Sequence, residues 1–441
     1  MQSEIVLFFR NHWFEIGIAI IIICLFLLYQ LYSSSTVVTE SIPIETEKKH
    51  SANVPKKKKI RQMPSHGGDA RSINKPDHQL FVTSLKGHTN DIIDISFSSN
   101  NKYLVSTAID RTVLLWPWKL LHGKMRSHRF SLGLVDPLCI NWSSDTKALI
   151  IGNQKSLSFM KVTKKDEDLS VQPGYEIAED IIGVGNDIFC GNMSSAGNYA
   201  FFVDSTACIY ITDVKGTFQG KLNTGLKQLR RAAISTCGRY IGACGYSSEV
   251  PLYEVCFTRQ NEFKCIRHAL SLTGHRATVT YFDFALDAIH MATVSEDGTC
   301  RVWAIEAGSC SCINVIEIDK QISANSPLKC AISFNASCVL VYDNNDLAVY
   351  NAATCELDKF HQGYFAEDSL HLATFDNTGR HVVMVGNKLM HVLRCPTQFK
   401  GHIKSLQKKI DVECSSTNRE RLQFQLKDIE SQYAQFQASI K

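Results

Sequence analysis

The chain carries little net charge: 47 lysines and arginines against 43 acids leave +4 over 441 residues. A balance this mild does not by itself argue for nucleic acid as a partner. Its 16 cysteines include no Cys-x-x-Cys pair, and Cys310-Ser311-Cys312 alone falls short of the four ligands that a structural zinc needs. There is no Gly-x-Ser-x-Gly elbow to present a serine nucleophile. No metal, cofactor or small-molecule substrate is therefore expected. The cysteines are dispersed through predicted strands, as at Cys139, Cys190, Cys208, Cys300 and Cys330. There they act as small apolar core residues and suit a reducing compartment. Three Asn-x-Ser triplets, at Asn141, Asn192 and Asn335, point the other way, toward glycans in a secretory lumen.

What the sequence does have is an internal repeat. Gly87 to Trp116 and Gly274 to Trp303 superimpose without a gap, each with Gly-His at the start, Asp-x-Thr near the end and a closing Trp. Ile93, Ile95 and Phe97 alternate as one strand, Leu104 and Val105 fill a second, and Val113, Leu114 and Leu115 a third. Ser98 to Asn101 supply the turn between the first two. The Trp position has equivalents at Met160, Thr212, Tyr253, Tyr350 and Leu393. With the two tryptophans these make seven anchors about 41 to 52 residues apart. Turn signals at Ser143, Ser194, Ser235, Ser333 and Asp376 fall between the first and second strands of the weaker copies.

The Gly-His, the Asp and the Trp resemble the WD-repeat family, whose blades build β-propellers. The resemblance implies buried hydrogen-bonded tetrads at His88, Ser106, Asp110 and Trp116 and again at His275, Thr293, Asp297 and Trp303. It also implies closure of the ring by an N-terminal strand, for which Leu80 to Leu85 are suited. A serine, a histidine and an aspartate together also admit a hydrolase reading. The arrangement occurs twice, each time with a Trp that a blade buries, and this favours a structural brace.

The N-terminus is a different physical object. Residues 13–32 read WFEIGIAIIIICLFLLYQLY, long enough as a helix to cross a hydrocarbon layer of about 30 Å. Aromatic residues stand at both ends of this run. A cleaved signal peptide ending near Ser33 to Ser35 is the alternative. Lys48, Lys49, the run Lys56, Lys57, Lys58 and Lys59, and Arg61 follow the span, and Arg10 alone precedes it. This asymmetry places the repeat domain on the cytosolic side. Residues 33–77 are rich in Ser, Pro, Lys and Gly and read as a basic, flexible tether.

Two groups of basic residues are candidate contacts for phosphate, whether of lipid, RNA or a phosphorylated protein: the tether run just named, and Lys119, Lys124, Arg126 and Arg129, with Arg230 and Arg231 adding to the second. At the C-terminus, Leu422, Leu426, Ile429, Tyr433, Phe436 and Ile440 recur at steps of four and three, the seam of an amphipathic helix. Phe399, Ile403, Leu406 and Ile410 form a shorter copy of that seam. Gly401-His402 resembles one more blade start, but no strand pattern follows it.

The fold class expected is all-β: a seven-bladed WD-repeat β-propeller with an N-terminal transmembrane helix and a C-terminal amphipathic helix. The organisation is a short segment 1–12, an anchor 13–32, a tether 33–77, a propeller 78–396 and a helical segment 397–441. This order resembles one membrane-anchored member of the family. What that likeness implies is a noncatalytic scaffold of the endoplasmic reticulum membrane. Its implied partners are the reticulum's stress-sensing kinase and translation initiation factor, within the unfolded protein response. An adaptor that binds RNA or ribosomes, and a lumenal or secreted propeller with binding or hydrolase activity, are the alternatives.

Overall fold

A computed structural model describes residues 79–438 apart from 122, 124, 144, 166, 167, 178–186, 261, 307, 320, 321, 323–326, 362–368 and 414. The expected anchor, the tether with Lys56 to Lys59 and Arg61, as well as Lys124 and Ile440, lie outside the described residues. Among the described residues no helix is long and apolar enough to cross a membrane.

The described strands form seven four-stranded antiparallel sheets. Six are built from consecutive strands; the first of these runs Ile92–Phe97, Tyr103–Ala108, Thr112–Pro117 and His128–Ser131. The seventh takes Leu372–Phe375, His381–Val385 and Leu389–Arg394 and borrows Phe81–Lys86 from the start of the ring as its outer strand. Ser84 lies opposite His391 and Leu85 opposite Met390 in that junction.

The middle strands of a blade are apolar on both faces because neighbouring blades cover both. Leu104, Val105, Val113, Leu114 and Leu115 are all buried. Leu104 and Leu114 join Val383, Val385 and Val392 of the seventh blade, whereas Val105 and Leu115 join Ile140, Leu149 and Ile151 of the second. A strand that alternates its side chains in this position makes two cores at once.

The tight turn between first and second strands has one chemistry in most blades. Tyr103, Ala148, Tyr199, Tyr240 and Cys338 donate their amides to the hydroxyls of Ser98, Ser143, Ser194, Ser235 and Ser333. In the seventh blade the Asp376 carboxylate accepts from the amide of His381 at 3.0 Å. The first strands depart from the alternation expected of Ile93, Ile95 and Phe97. A register shift between Ile92 and Asp94 turns Ile92 and Ile95 into the core and leaves Ile93 on the wall of the central channel. Similar shifts follow Pro137, Ile188 and Val279. Such bulges bend a strand and change which face its residues reach.

Two helices follow the ring, Thr397–Val412 and Ser416–Ala438. The Gly401-His402 pair lies inside the first helix and begins no blade. Its glycine is needed for approach: a Cβ there would sit 2.2 Å from the carbonyl oxygen of Ser337 in the sixth blade. Gln398 donates to Asn335 at 2.7 Å, and Thr397 and Lys400 both reach the Asp358 carboxylate. Phe399 and Leu406 are buried.

Candidate functional site

The two histidine clusters are built from the loop entering a blade, its second strand, the following turn and its third strand. His88 places Nε2 2.8 Å from Ser106 Oγ, and Trp116 Nε1 donates to the same hydroxyl at 3.0 Å. Nδ1 of His88 stands 3.3 Å from the Asp110 carboxylate. That carboxylate also accepts from the Thr89 amide at 2.9 Å and the Thr112 hydroxyl at 2.7 Å. Gly87 lets the loop lie on the indole, since a Cβ would come within 2.7 Å of Leu114. In the second cluster His275 is 2.8 Å from Thr293 Oγ1 and 2.9 Å from Asp297, and Trp303 donates to Thr293 at 2.8 Å. Gly274 has φ +145, a conformation that favours glycine.

The electrostatics are those of a closed network. Burial works against the Asp110 and Asp297 carboxylates, but the hydrogen bonds from threonine hydroxyls, amides and histidine outweigh it and hold each down at about 2. Burial keeps His88 and His275 below the ordinary imidazole value, despite the pull of the adjacent carboxylates. Ser106 and Thr293 are 0% exposed. A hydroxyl that is sealed and already shared between an indole and an imidazole has no access to a substrate, so these clusters brace the blades.

At the position of Ser106 the other blades carry Ile151, Phe202, Ala243, Val341 and Met384, all buried and apolar except for their backbone. The register also sets Met160, Thr212, Tyr253, Tyr350 and Leu393 opposite the second residue of the neighbouring strand, as Trp116 is set opposite Leu104 and Trp303 opposite Met291. Three further polar clusters had no repeat signal to reveal them. In the third blade the Asp204 carboxylate accepts from Tyr210 at 3.1 Å, and Lys221 donates to that phenol at 2.7 Å. In the fourth, Glu254 is held by Arg239 at 2.6 Å and Arg267 at 2.8 Å. In the seventh, Asp376 faces His381 at 3.2 Å.

The expected basic contacts separate. Lys119 and Arg126 are exposed, and Arg129, also exposed, turns its guanidinium back onto the Gly87 carbonyl. Arg230 and Arg231 do not extend that surface. Arg230 pairs with Glu296 at 3.1 Å. Arg231 opens the first strand of the fourth blade, where it stacks 4.1 Å from the centre of the Tyr281 ring and lies 3.5 Å from Asp283. Both line the central channel, a cavity of about 340 Å³ walled by the first strands of all seven blades. Burial raises Asp94, on the same wall, to about 6 against the hydrogen bonds it accepts from the Ile140 and Ile95 amides.

Along the second C-terminal helix, Leu422, Leu426, Ile429, Tyr433 and Phe436 are each half-buried. Tyr433 and Phe436 pack on Phe399 of the first helix at ring distances of 5.6 and 5.0 Å, and Arg380 donates to Gln432 at 3.1 Å. The seam thus folds back on its own chain, while Phe424, off the seam, is 75% exposed.

Seven four-stranded blades, of which the first and fifth carry this brace, define a seven-bladed β-propeller with WD repeats. The profile of the WD domain, G-beta repeat, matches residues 79–117 and 264–304, which hold Trp116 and Trp303. Over most of its length the chain is similar to transducin beta-like protein 2. It is 28% identical to the Homo sapiens protein over 367 residues, covering 79% of each chain. It is 28% identical to the Mus musculus protein over 375 residues, covering 79% of this chain and 80% of that one.

Proposed function

We propose that the chain is a noncatalytic protein–protein interaction scaffold, tethered to the endoplasmic reticulum membrane by residues 13–32 with its propeller in the cytosol. The observation that carries the scaffold reading is the sealing of both His–Asp–hydroxyl clusters beneath their tryptophans. What remains accessible is a rigid ring whose loops open on two faces, a geometry suited to docking partners. The partners proposed are the reticulum's stress-sensing kinase and the translation initiation machinery, in the control of translation under stress.

The cytosolic side is supported by the three Asn-x-Ser asparagines, each half-buried. Asn141 donates to the Gly191 carbonyl at 3.2 Å, Asn192 accepts from the Met193 amide at 2.7 Å, and Asn335 accepts from Gln398 at 2.7 Å. A glycan attaches to the amide nitrogen, which in Asn141 is engaged by the Gly191 carbonyl and in Asn335 is buried.

Protease treatment of sealed microsomes, with glycosidase treatment and detection of the C-terminus, tests the placement. Digestion without detergent and no glycan shift is the expected result; protection with a glycan shift overturns it. Co-precipitation of the tagged full chain with the kinase, before and after reticulum stress, tests the partner. RNA crosslinking that collapses when Lys56 to Lys59, Arg126 and Arg129 are charge-reversed, with no kinase recovered, would replace the scaffold by an RNA adaptor.

A further inference from the structure

The third strand of the fourth blade, Val250–Phe257, pairs with the outer strand Phe263–Leu272, and this register sets Cys256 directly opposite Cys265. Among the described ladder pairs it is the only cysteine facing a cysteine: Cys190 faces Val203, Cys310 faces Ile305, Cys312 faces Trp303 and Cys338 faces Asn351. Directly opposed residues of an antiparallel pair hold their Cα atoms about 4.5 to 5.5 Å apart. That lies inside the range of about 4.4 to 6.8 Å over which a disulfide closes. Cys310 and Cys312, by contrast, follow each other along a single strand, about 6.8 Å apart at 3.4 Å per residue, and stand at the outer limit.

Three features surround the pair. Both cysteines are half-buried, so a small oxidant can reach them. The register shifts between Cys256 and Phe257, and only the Phe257–Phe263 pair separates the cysteines from the turn, where Thr258 donates its amide to the Glu262 carbonyl at 2.8 Å. The backbone at this end of the hairpin therefore resists a small adjustment less than the middle of a blade does. Two rungs further in, on the same face of the hairpin, the Glu254 carboxylate is held between Arg239 and Arg267, leaving one net positive charge near the sulfurs.

We propose that Cys256 and Cys265 are a vicinal dithiol and a modification site, which closes to a cross-strand disulfide on meeting a two-electron oxidant of the peroxide class. The Cys265 sulfur gives up its proton and attacks a peroxide oxygen; the O–O bond breaks, a water leaves, and Cys265 becomes a sulfenic acid. The Cys256 sulfur then attacks the Cys265 sulfur, the S–O bond breaks and a second water leaves with the Cys256 proton. Two thiols and one hydrogen peroxide give one disulfide and two waters, and the thiols supply both electrons. Burial, the hydrogen bond with Cys265 and the Glu254 carboxylate push the Cys256 thiol up, with Arg267 opposing. Cys256 thus keeps its proton until the second step, and closure accelerates as pH rises.

The test uses the reduced full chain, treated with limiting hydrogen peroxide, blocked with N-ethylmaleimide and digested with trypsin without reduction. Cleavage beside Arg239, Arg259, Lys264 and Arg267 places Cys256 and Cys265 in separate peptides, so closure appears as one linked species. Cys244 shares the first peptide but is buried. The linked species should form ahead of any other cysteine pair, revert with dithiothreitol, and be lost in Cys256→Ser and in Cys265→Ser. Phenylarsine oxide, which bridges paired thiols, should block alkylation of both cysteines in the unoxidised protein. Persistence of the linked species in Cys256→Ser would assign the bond to Cys244 and overturn the proposal. So would independent sulfinic acids or maleimide adducts on the two cysteines with no linked species. A Cys256→Ala, Cys265→Ala double variant with unchanged circular dichroism excludes misfolding as the cause of the loss.

Discussion

The first and fifth blades and the other five reach the same sheet by different chemistry. In the first and fifth, a hydroxyl buried between blades requires a partner, and the indole, the imidazole and the carboxylate beyond it form one connected network. In the other five, Ile151, Phe202, Ala243, Val341 and Met384 replace the hydroxyl, and nothing there needs to be satisfied. The Gly-His and the Trp are therefore a consequence of one polar atom in the second strand. Once that atom is apolar, the Trp position is free to become Met160, Thr212, Tyr253, Tyr350 or Leu393.

The comparison breaks first at the anchor. Trp303→Ala removes a buried indole and leaves the Thr293 hydroxyl with His275 alone, and should cost about 3 to 5 kcal/mol, above the about 2 to 5 kcal/mol expected for Leu393→Ala at the same position of the seventh blade. Urea melts of both variants measure the difference, and equal costs would mean that the indole contributes only its volume. Titration sharpens the same contrast at the ring closure. Burial, with Lys86 adding to it, lowers His391 to about 4, and its Nδ1 lies 2.8 Å from Ser84 Oγ. Its folded pKa lies below its unfolded one, so the unfolded chain takes up the proton first as the solution is acidified. Stability is full above pH 6.5 and falls toward pH 4 by roughly 3 kcal/mol. A His391→Gln control that also carries Asp94 isolates this contribution in melts recorded over that range.

Smaller effects probe the hydroxyl itself. Ser106→Ala should cost about 1 to 3 kcal/mol by leaving both ring nitrogens unpaired, and Ala243→Ser should cost a similar amount by burying a hydroxyl without a partner. Opposite signs for the two in a thermal melt would sink the account given above of why the blades differ. The smallest global effect is expected from Gly401→Ala. The added methyl collides with the Ser337 carbonyl and pushes the first C-terminal helix away from the sixth blade. Limited trypsin digestion should cut at Lys404 or Lys408 sooner, while the ring melts within about 1 kcal/mol of the wild type.

Six of the seven turns were legible because each depends on residues close in sequence: a serine or aspartate and the amide five residues on. The two braces were legible for another reason: their four members are far apart in sequence but recur at the same spacing in both copies. The parity of the first strands was not, because the shift after Ile92 lies in the pairing between strands and leaves no mark in composition. Arg230 and Arg231 look like surface charge until the ring brings Glu296 and Tyr281 beside them from the fifth blade. The seam from Leu422 to Phe436 showed an apolar stripe but not what covers it. That depended on Phe399, held in place by a helix that needs Gly401.

The strand Phe81–Lys86 also sets an order of assembly. Synthesis proceeds from the N-terminus, and Phe81 waits for its partner Leu393 until nearly the whole ring has left the ribosome. Until then an unpaired edge is open at each end of the growing arc, and the entropy of joining the two ends falls on the last step. The final strand to be made, Leu389–Arg394, pairs with the first and completes the seventh sheet. A truncation that removes either strand therefore leaves an open arc with two sticky edges, a species for chaperones to hold rather than a smaller propeller.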